Sequence, residues 1–175
     1  MNINLKLQQK GMVLIVGLIF LLILTMIGVS AMNSTALSEK LTQNLRDSTT
    51  AFEASEASLA EGESWLTAQT TPPVPVSTCS SSPCNVWQAN TLAAPYSQSS
   101  SWWQTNAKSF SGTIYGVVAQ PRYIIEYYGF VPYELSPDAA GRGQGYYLYR
   151  VNARGTGATA NAQINLQSIY STQFN

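Results

Sequence analysis

Met12–Met32 reads MVLIVGLIFLLILTMIGVSAM, an apolar run broken only by Gly17, Thr25, Gly28 and Ser30. No charged residue stands between Lys10 and Glu39. As a helix the run is about 31 Å long at 1.5 Å per residue, close to the roughly 30 Å hydrocarbon core of a bilayer. The hydroxyls of Thr25 and Ser30 can bond back to carbonyls of their own helix, so they do not spoil a span. Lys6 and Lys10 precede the run and the next basic residue is Lys40. The positive-inside rule then puts the N-terminus in the cytoplasm and the chain from Asn33 onward outside the cytoplasmic membrane. A cleaved secretory signal is the alternative. Val29-Ser30-Ala31 fits a small-x-small site, but the run is longer than an h-region of about 7–15 residues. Both readings export the rest of the chain.

Working outward, Asn33–Gln69 has no Pro and one Gly, and most of its residues are compatible with helix. Nothing at Met32-Asn33 stops the first helix. One helix is therefore expected from about Met12 to Gln69, ended by Thr70-Thr71-Pro72-Pro73, because Pro disfavours helix in the residue before it. Leu45, Phe52, Leu59 and Leu66 repeat every seven residues, with Leu37 and Leu41 continuing the line upstream. Seven residues are close to two helical turns, so these side chains form a stripe expected to pack on a sheet. Ser48, Ser55 and Gly62 follow the first three at a distance of three residues, and small residues there let a sheet approach closely. A coiled-coil seam would instead want Leu or Ile at those places. Glu53, Glu56, Glu61 and Glu63 lie off the stripe and read as a solvated face.

Composition narrows the chemistry. The 175 residues include 9 Lys+Arg, 9 Asp+Glu, no His and 2 Cys, and charged side chains make up 10% of the chain. A typical soluble domain has roughly 25%. Without His there is no Ser-His-Asp triad, no Cys-His pair and no histidine metal site. A formal net charge of zero argues against a nucleic-acid partner, which would call for a basic patch.

Residues 70–111 form a Pro- and Ser-rich loop region. Cys79 and Cys84 close a short loop there, and in an exported domain a structural disulfide is the first reading. A redox pair is the alternative, although reactive motifs favour two intervening residues and here there are four. Trp87, Tyr96, Trp102 and Trp103 fall in the same segment. They are either a partner surface or ordinary core residues of a loop-rich region.

Residues 112–175 read as an antiparallel sheet. Thr113–Gln120, Arg122–Val131, Tyr146–Arg154 and Ala160–Tyr170 are rich in Ile, Val and Tyr and bounded by Gly or Pro. Ala160, Ala162, Ile164 and Leu166 alternate with Asn161, Gln163, Asn165 and Gln167. Tyr147, Tyr149, Val151 and Ala153 alternate with Arg150, Asn152 and Arg154. One apolar and one polar face imply a sheet covered on one side, with the helix stripe as the cover. Gly155-Thr156-Gly157-Ala158-Thr159-Ala160 matches the dinucleotide pattern G-x-G-x-x-A, but that site needs a helix to follow. Here a strand follows, so the glycines read as a hairpin turn. Gly141–Gly145 reads as a flexible loop end, and Pro137–Ala140 has too few carboxylates for a calcium loop.

Several of these stretches together resemble a known family. Lys6 and Lys10 before Gly11, followed by a long apolar helix, are similar to the class III signal peptide of type IV pilins. Gln9-Lys10-Gly11, Asn44-Leu45-Arg46-Asp47, Ala51-Phe52-Glu53-Ala54 and the tail Tyr149-Arg150-Val151, Ala153–Gly157, Leu166-Gln167-Ser168 and Tyr170 resemble PilX-type minor pilins. The resemblance implies an α+β type IV pilin-like fold. Its parts would be a leader (1–11), a membrane or filament-core helix (12–32), an amphipathic continuation (33–69), the disulfide loop region (70–111) and the sheet (112–175). It further implies cleavage by a prepilin peptidase after Gly11 and methylation of the new N-terminus, Met12. Met12 stands where most pilins have Phe. Val16 stands at the fifth mature position, where major pilins carry a Glu thought to neutralise a neighbour's N-terminal amine. A subunit without that Glu can begin a filament but cannot make the contact in the usual way, which favours the tip.

The resemblance thus implies a subunit that primes type IV pilus assembly and supports twitching motility and adhesion. Its expected partners are the prepilin peptidase, other minor pilins and the major pilin, with a tip adhesin as a further candidate, besides inner-membrane lipid. No enzyme activity, metal, cofactor or nucleic acid is expected. Its expected location is the inner membrane, with the C-terminal domain in the periplasm, and the pilus tip after assembly. One alternative is a K-type tip pseudopilin of a type II secretion system, although such proteins usually carry a large inserted helical domain. Another is a signal-anchored periplasmic enzyme, whose only candidates are the four helix acids with Glu126, Glu134 and Asp138, and nothing fixes two of them at a glycosidase separation.

Overall fold

The computed structural model describes residues 12–79, 82–92, 94–134, 141 and 143–174. The chain divides into two compact units, one up to Gln43 and one from Asn44 onward. Helix α1 runs Met12–Thr67, two residues short of the expected end, with Pro72 and Pro73 soon after. In the first unit every described residue of α1 is exposed.

The second unit holds the rest of α1, then β1 (Trp87–Gln88), a 3-10 turn at Pro95–Ser97, α2 (Ser100–Asn106), β2 (Lys108–Ser109), β3 (Arg122–Pro132), β4 (Gly145–Thr156) and β5 (Gln163–Thr172). The sheet runs β1-β3-β4-β5, with β2 also pairing β3. The β3–β4 and β4–β5 ladders are antiparallel, as expected, while β1 joins β3 in parallel. The three long strands fall on three of the four expected segments, within a few residues. Alternation holds along β5, where exposed Gln163, Asn165 and Gln167 alternate with half-buried Ile164 and Leu166. Ala160 and Ala162 lie before the strand, in the turn.

Thr113–Gln120 is a correction: it forms no strand. Its backbone is bonded piecemeal: the Gln120 side chain accepts from Ile114 N–H at 2.9 Å and donates to the Ile114 carbonyl at 3.0 Å, Val118 N–H donates to the Gly157 carbonyl at 2.8 Å, and the Thr156 hydroxyl accepts from Ala119 N–H and donates to the Ala119 carbonyl. Gly116 sits at φ 82°, a turn conformation that breaks an extended run. Ile114, Val117 and Val118 give the segment a strand-like composition, but Gln120, Thr156 and Gly157 bond its backbone in place of a strand ladder.

The face of α1 against the sheet is also a correction. Leu66 is fully buried and Leu59 half-buried, yet Phe52 is 42% and Leu45 61% exposed. A seven-residue repeat drifts about 20° per heptad on a straight helix, so a stripe aligned at Leu66 has turned off the sheet by Phe52. The residues that meet the sheet are Ala51, Ala54, Ser55, Ser58, Gly62 and Leu66, at spacings of three and four. All but Leu66 are small, and the contact is close. A Cβ on Gly62 would lie 2.8 Å from Val151 Cγ1, and one on Gly155 would lie 2.3 Å from the Ala51 carbonyl oxygen.

Both faces of the sheet are covered, where one was expected. Toward α1 the core is Leu66, Val86, Tyr123, Ile125, Tyr149, Val151 and Ala153. On the other face Ile124 packs with Trp87, Trp103 and Ala107, flanked by Cys79, Cys84, Leu92 and Trp102. The loop region therefore folds back over the polar side of the strands.

The helix–sheet approach predicts an asymmetry between glycines. Gly155→Ala forces a methyl onto backbone and should cost at least about 1–3 kcal/mol, the usual range for overpacking. Gly129→Ala, whose Cβ meets open space, should change little. Urea unfolding of the detergent-solubilised chain followed by tryptophan fluorescence compares the two.

Candidate functional site

The polar contacts of the second unit gather in three places. The first lies where α1 meets the β4–β5 hairpin. Asp47 accepts hydrogen bonds from Ala158 N–H, the Thr159 N–H at 3.3 Å and the Thr159 hydroxyl. Its carboxyl is held below its ordinary value, chiefly by the Thr159 hydroxyl. Two residues upstream of Thr159, a Cβ on Gly157 would collide with Asp47 Oδ1. The glycines read as a hairpin turn are thus not the turn itself: Gly155 lies in β4 and Gly157 just beyond it. Both lack side chains because α1 occupies that space. Further along, Ser55 donates to the Ile164 carbonyl at 2.8 Å, Ser168 donates to Glu63 at 2.6 Å, and Thr67 and Tyr170 share a hydrogen bond of 2.7 Å.

The four helix acids do not behave as one solvated face. Glu53 and Glu56 are exposed. Glu63 ties α1 to β5, and Glu61 accepts from Ser111 N–H at 2.9 Å and the Ser111 hydroxyl at 3.0 Å. Burial, and then the Glu61 carboxylate, push the Tyr123 hydroxyl up to about 12. Lys108 sits 4.3 Å from the centre of the Trp65 ring. The Tyr149 hydroxyl is buried with no hydrogen-bond partner among the described residues.

The second place is the far face of the sheet. Glu126, only 1% exposed, accepts a fork from Arg150 at 2.9 and 3.1 Å and a bond from Asn152 at 2.8 Å. The Glu126 hydrogen bond raises the Arg150 pKa. Gln167 donates to Asn152 at 2.6 Å. Arg154 donates to Asn165 at 2.8 Å and stacks 4.9 Å from the Trp103 ring. Arg122 donates to the Ala107 carbonyl at 3.0 Å. A buried carboxylate is costly unless paired and fully hydrogen-bonded, and Glu126 has three donors. These carboxylates and guanidiniums hold layers together. They do not face a common reacting centre.

The third place is the aromatic loop. Cys79 and Cys84 are joined in a disulfide with a Cα–Cα distance of 5.8 Å. Trp87 and Trp103 are buried, Trp102 is half-buried, and Tyr96 is 69% exposed. Trp103 donates its ring N–H to the Pro95 carbonyl at 3.0 Å. Of the four aromatics singled out as a partner surface, two are core and Tyr96 alone stands open. The short α2 that carries Trp102 and Trp103 lies inside the segment expected as loop, where Ser99–Ser101 has a loop-like composition. Its signal is Ser99, whose hydroxyl caps Trp102 N–H at 3.2 Å.

Met12 and Val16 lie exposed on α1. Lys6, Lys10 and Gly11 fall outside the described residues, as does Asp138. A family model described as type IV pilus assembly protein PilX, C-terminal, matches residues 41–172, and one described as PilX N-terminal matches residues 10–60. The chain belongs to the PilX family. Comparisons with curated proteins and with solved structures each returned no significant match. As a PilX-family chain it is a minor pilin of the type IV pilus assembly class, and among the described residues one helix, Met12–Thr67, is long and apolar enough to cross a membrane. Membership of this family brings contact with other pilus components.

Two substitutions test the site. Asp47→Asn removes a carboxylate whose folded pKa is depressed. The wild-type advantage over Asp47→Asn should be complete well above the ordinary value of 3.8. It should shrink as pH falls below that value, as Asp47 protonates in the folded chain. Unfolding midpoints across that range measure it. Glu126→Gln, which weakens charge-assisted bonds in a buried position, should cost about 1.5–3 kcal/mol.

Proposed function

We propose that this chain is a minor pilin that primes type IV pilus assembly from the inner membrane and is placed at or near the pilus tip. Prepilin peptidase removes the leader after Gly11 and the new N-terminus, Met12, is methylated. Lys6 and Lys10 hold the leader on the cytoplasmic side, and the second unit lies in the periplasm until assembly. Cleavage removes two basic residues and leaves a small excess of acidic charge in residues 12–175.

The observation that carries the tip reading is Val16, in a helix with no acid between Met12 and Ser38. An apolar helix with no carboxylate to offer a neighbour's amine suits a subunit with nothing stacked in the ordinary way on one side. The other minor pilins and the major pilin are its partners, and a tip adhesin is a further one. Twitching motility and adhesion follow from the pili it starts. A secretion pseudopilin of the K type is disfavoured by the connection from α1 to β3. Among the described residues its only α-helix is α2, seven residues long, so no inserted helical domain stands there.

Intact mass of the protein from membranes of its own host should correspond to residues 12–175 plus one methyl group. A mass corresponding to residues 32–175 would make it an ordinary secreted domain. Clean deletion should remove most surface pili and twitching, and unchanged piliation would end the priming reading.

A further inference from the structure

The two sides of the sheet are finished differently. On one side β3 is capped by β1 and β2; on the other β5 has no strand beyond it among the described residues. The ladder identifies the groups left open. Gly157 N–H donates to the Ala162 carbonyl at 2.8 Å, and antiparallel strands exchange both bonds at every second pair. The bonded pairs therefore continue through Gly155–Ile164, Ala153–Leu166, Val151–Ser168 and Tyr149–Tyr170. The N–H and C=O groups of Gln163, Asn165, Gln167, Ile169 and Ser171 point away from β4.

Exposed edges are ordinarily blunted by Lys, Pro, a bulge or shortness, because an open edge templates pairing with another chain. β5 uses none of these. It is ten residues long, QINLQSIYST, with no charge and no Pro, and its register with β4 runs without a bulge. No charged side chain follows Arg154 to the end of the chain. Beside this edge lies a cavity of about 300 Å³, walled by Pro95, Tyr96 and Trp103 and by Asn152, Asn165 and Gln167. Its walls are aromatic rings, amides and apolar groups, and the Arg154 guanidinium behind them is already bonded to Asn165 and the Tyr96 carbonyl.

We propose that β5 is a docking edge: it accepts an extended, uncharged segment of a co-assembling pilus subunit as an added strand, with one neutral side chain of that segment seated in the cavity. Only an extended backbone presents donors and acceptors at the spacing these outward groups require. Alternate side chains of an added strand face the same side of the sheet, so main-chain bonds supply affinity and the cavity supplies selectivity. A charged segment would lose its water against an edge whose nearest charges, Glu63 and Arg154, are already committed to Ser168 and Asn165. The source of the strand rests on the assembly reading above; the open edge does not.

Complementation of the deletion strain with the full chain separates the two. Ile169→Pro removes one outward N–H and leaves the β4 ladder intact, since an edge strand tolerates Pro on its open side. Ile169→Ala keeps that N–H and removes the exposed side chain. Wild type and Ile169→Ala should restore surface pili, while Ile169→Pro accumulates in the membrane with Cys79–Cys84 oxidised and leaves piliation at the level of the deletion. Full restoration by Ile169→Pro overturns the edge while the assembly reading stands, and equal loss in Ile169→Ala replaces edge pairing with a side-chain patch. A deletion that keeps its pili removes the assembly reading and, with it, the source of the strand.

Amide hydrogen exchange of the wild-type chain, alone in detergent and in complex with the minor pilins of the same host, checks the pairing without any variant. Protection should appear at Gln163, Asn165, Gln167, Ile169 and Ser171 only in the complex. No new protection overturns the proposal. Protection that instead tracks the concentration of the chain alone makes the occupant a second copy of it, and also overturns the proposal.

Discussion

The close approach of α1 to β4 is the constraint on which the rest of the second unit depends. Ala51, Ser55 and Gly62 on the helix meet Gly155 and Val151 on the strand, and Asp47 meets Gly157 just beyond it, at distances that leave no room for a Cβ at the glycines. This proximity lets short polar side chains act across the interface. A serine hydroxyl has little reach, yet Ser55 touches the Ile164 carbonyl and Asp47 the backbone of the hairpin. Set the helix back by one methyl group and these bonds lengthen past usefulness, since hydrogen bonds weaken steeply with distance and angle. Apolar burial alone would not fix the register so well, because Leu66 is the one large α1 residue that the sheet buries completely.

The opposite face is held by different means. Its strands carry Glu126, Arg150, Asn152 and Arg154, a set that would ordinarily face water. Here Trp103 and its neighbours cover them, and each side chain is satisfied within the layer or by a loop carbonyl. A half-satisfied network in that position would be worse than an apolar one. The loop region supplies few strands or helices of its own. It stays in place through the Cys79–Cys84 bridge, the tryptophan contacts and bonds such as that from Arg122 to the Ala107 carbonyl.

Much of this architecture was legible from periodicity. Long β4 and β5 announce themselves by alternation, and α1 by an unbroken run of helix-compatible residues between a polar leader and Pro72. Three features were not legible, for separate physical reasons. The seven-residue spacing of Leu45, Phe52, Leu59 and Leu66 looks like one face, but the drift of a straight helix carries its early members off the sheet. Residues 113–120 have strand composition, yet their backbone is bonded by the Gln120 side chain and by Thr156 and Gly157, from 37 or more residues further along the chain. Local pattern says nothing about side chains that arrive from far along the chain, so neither the cover over the polar face nor the role of Gly155 and Gly157 could be read from it. Asp47 likewise lies 111 residues from Ala158, and no motif spans that distance.

The helix itself carries two demands at once. Its small residues serve the sheet, while Leu37, Leu41, Leu45 and Phe52 remain exposed although they are large and apolar. Single exposed apolar residues are common on protein surfaces, but a line of them continuing an uncharged run of about 31 Å is not. A helix that needed only to cover its own sheet would gain nothing from keeping them. Residues 12–43 contribute nothing to the sheet's core, so their burial has to be found in lipid or against other helices. An apolar line that continues as far as Phe52 extends this requirement into the part of α1 that packs on the sheet. The same element therefore links the folded unit to its surroundings by the apolar surface it leaves open.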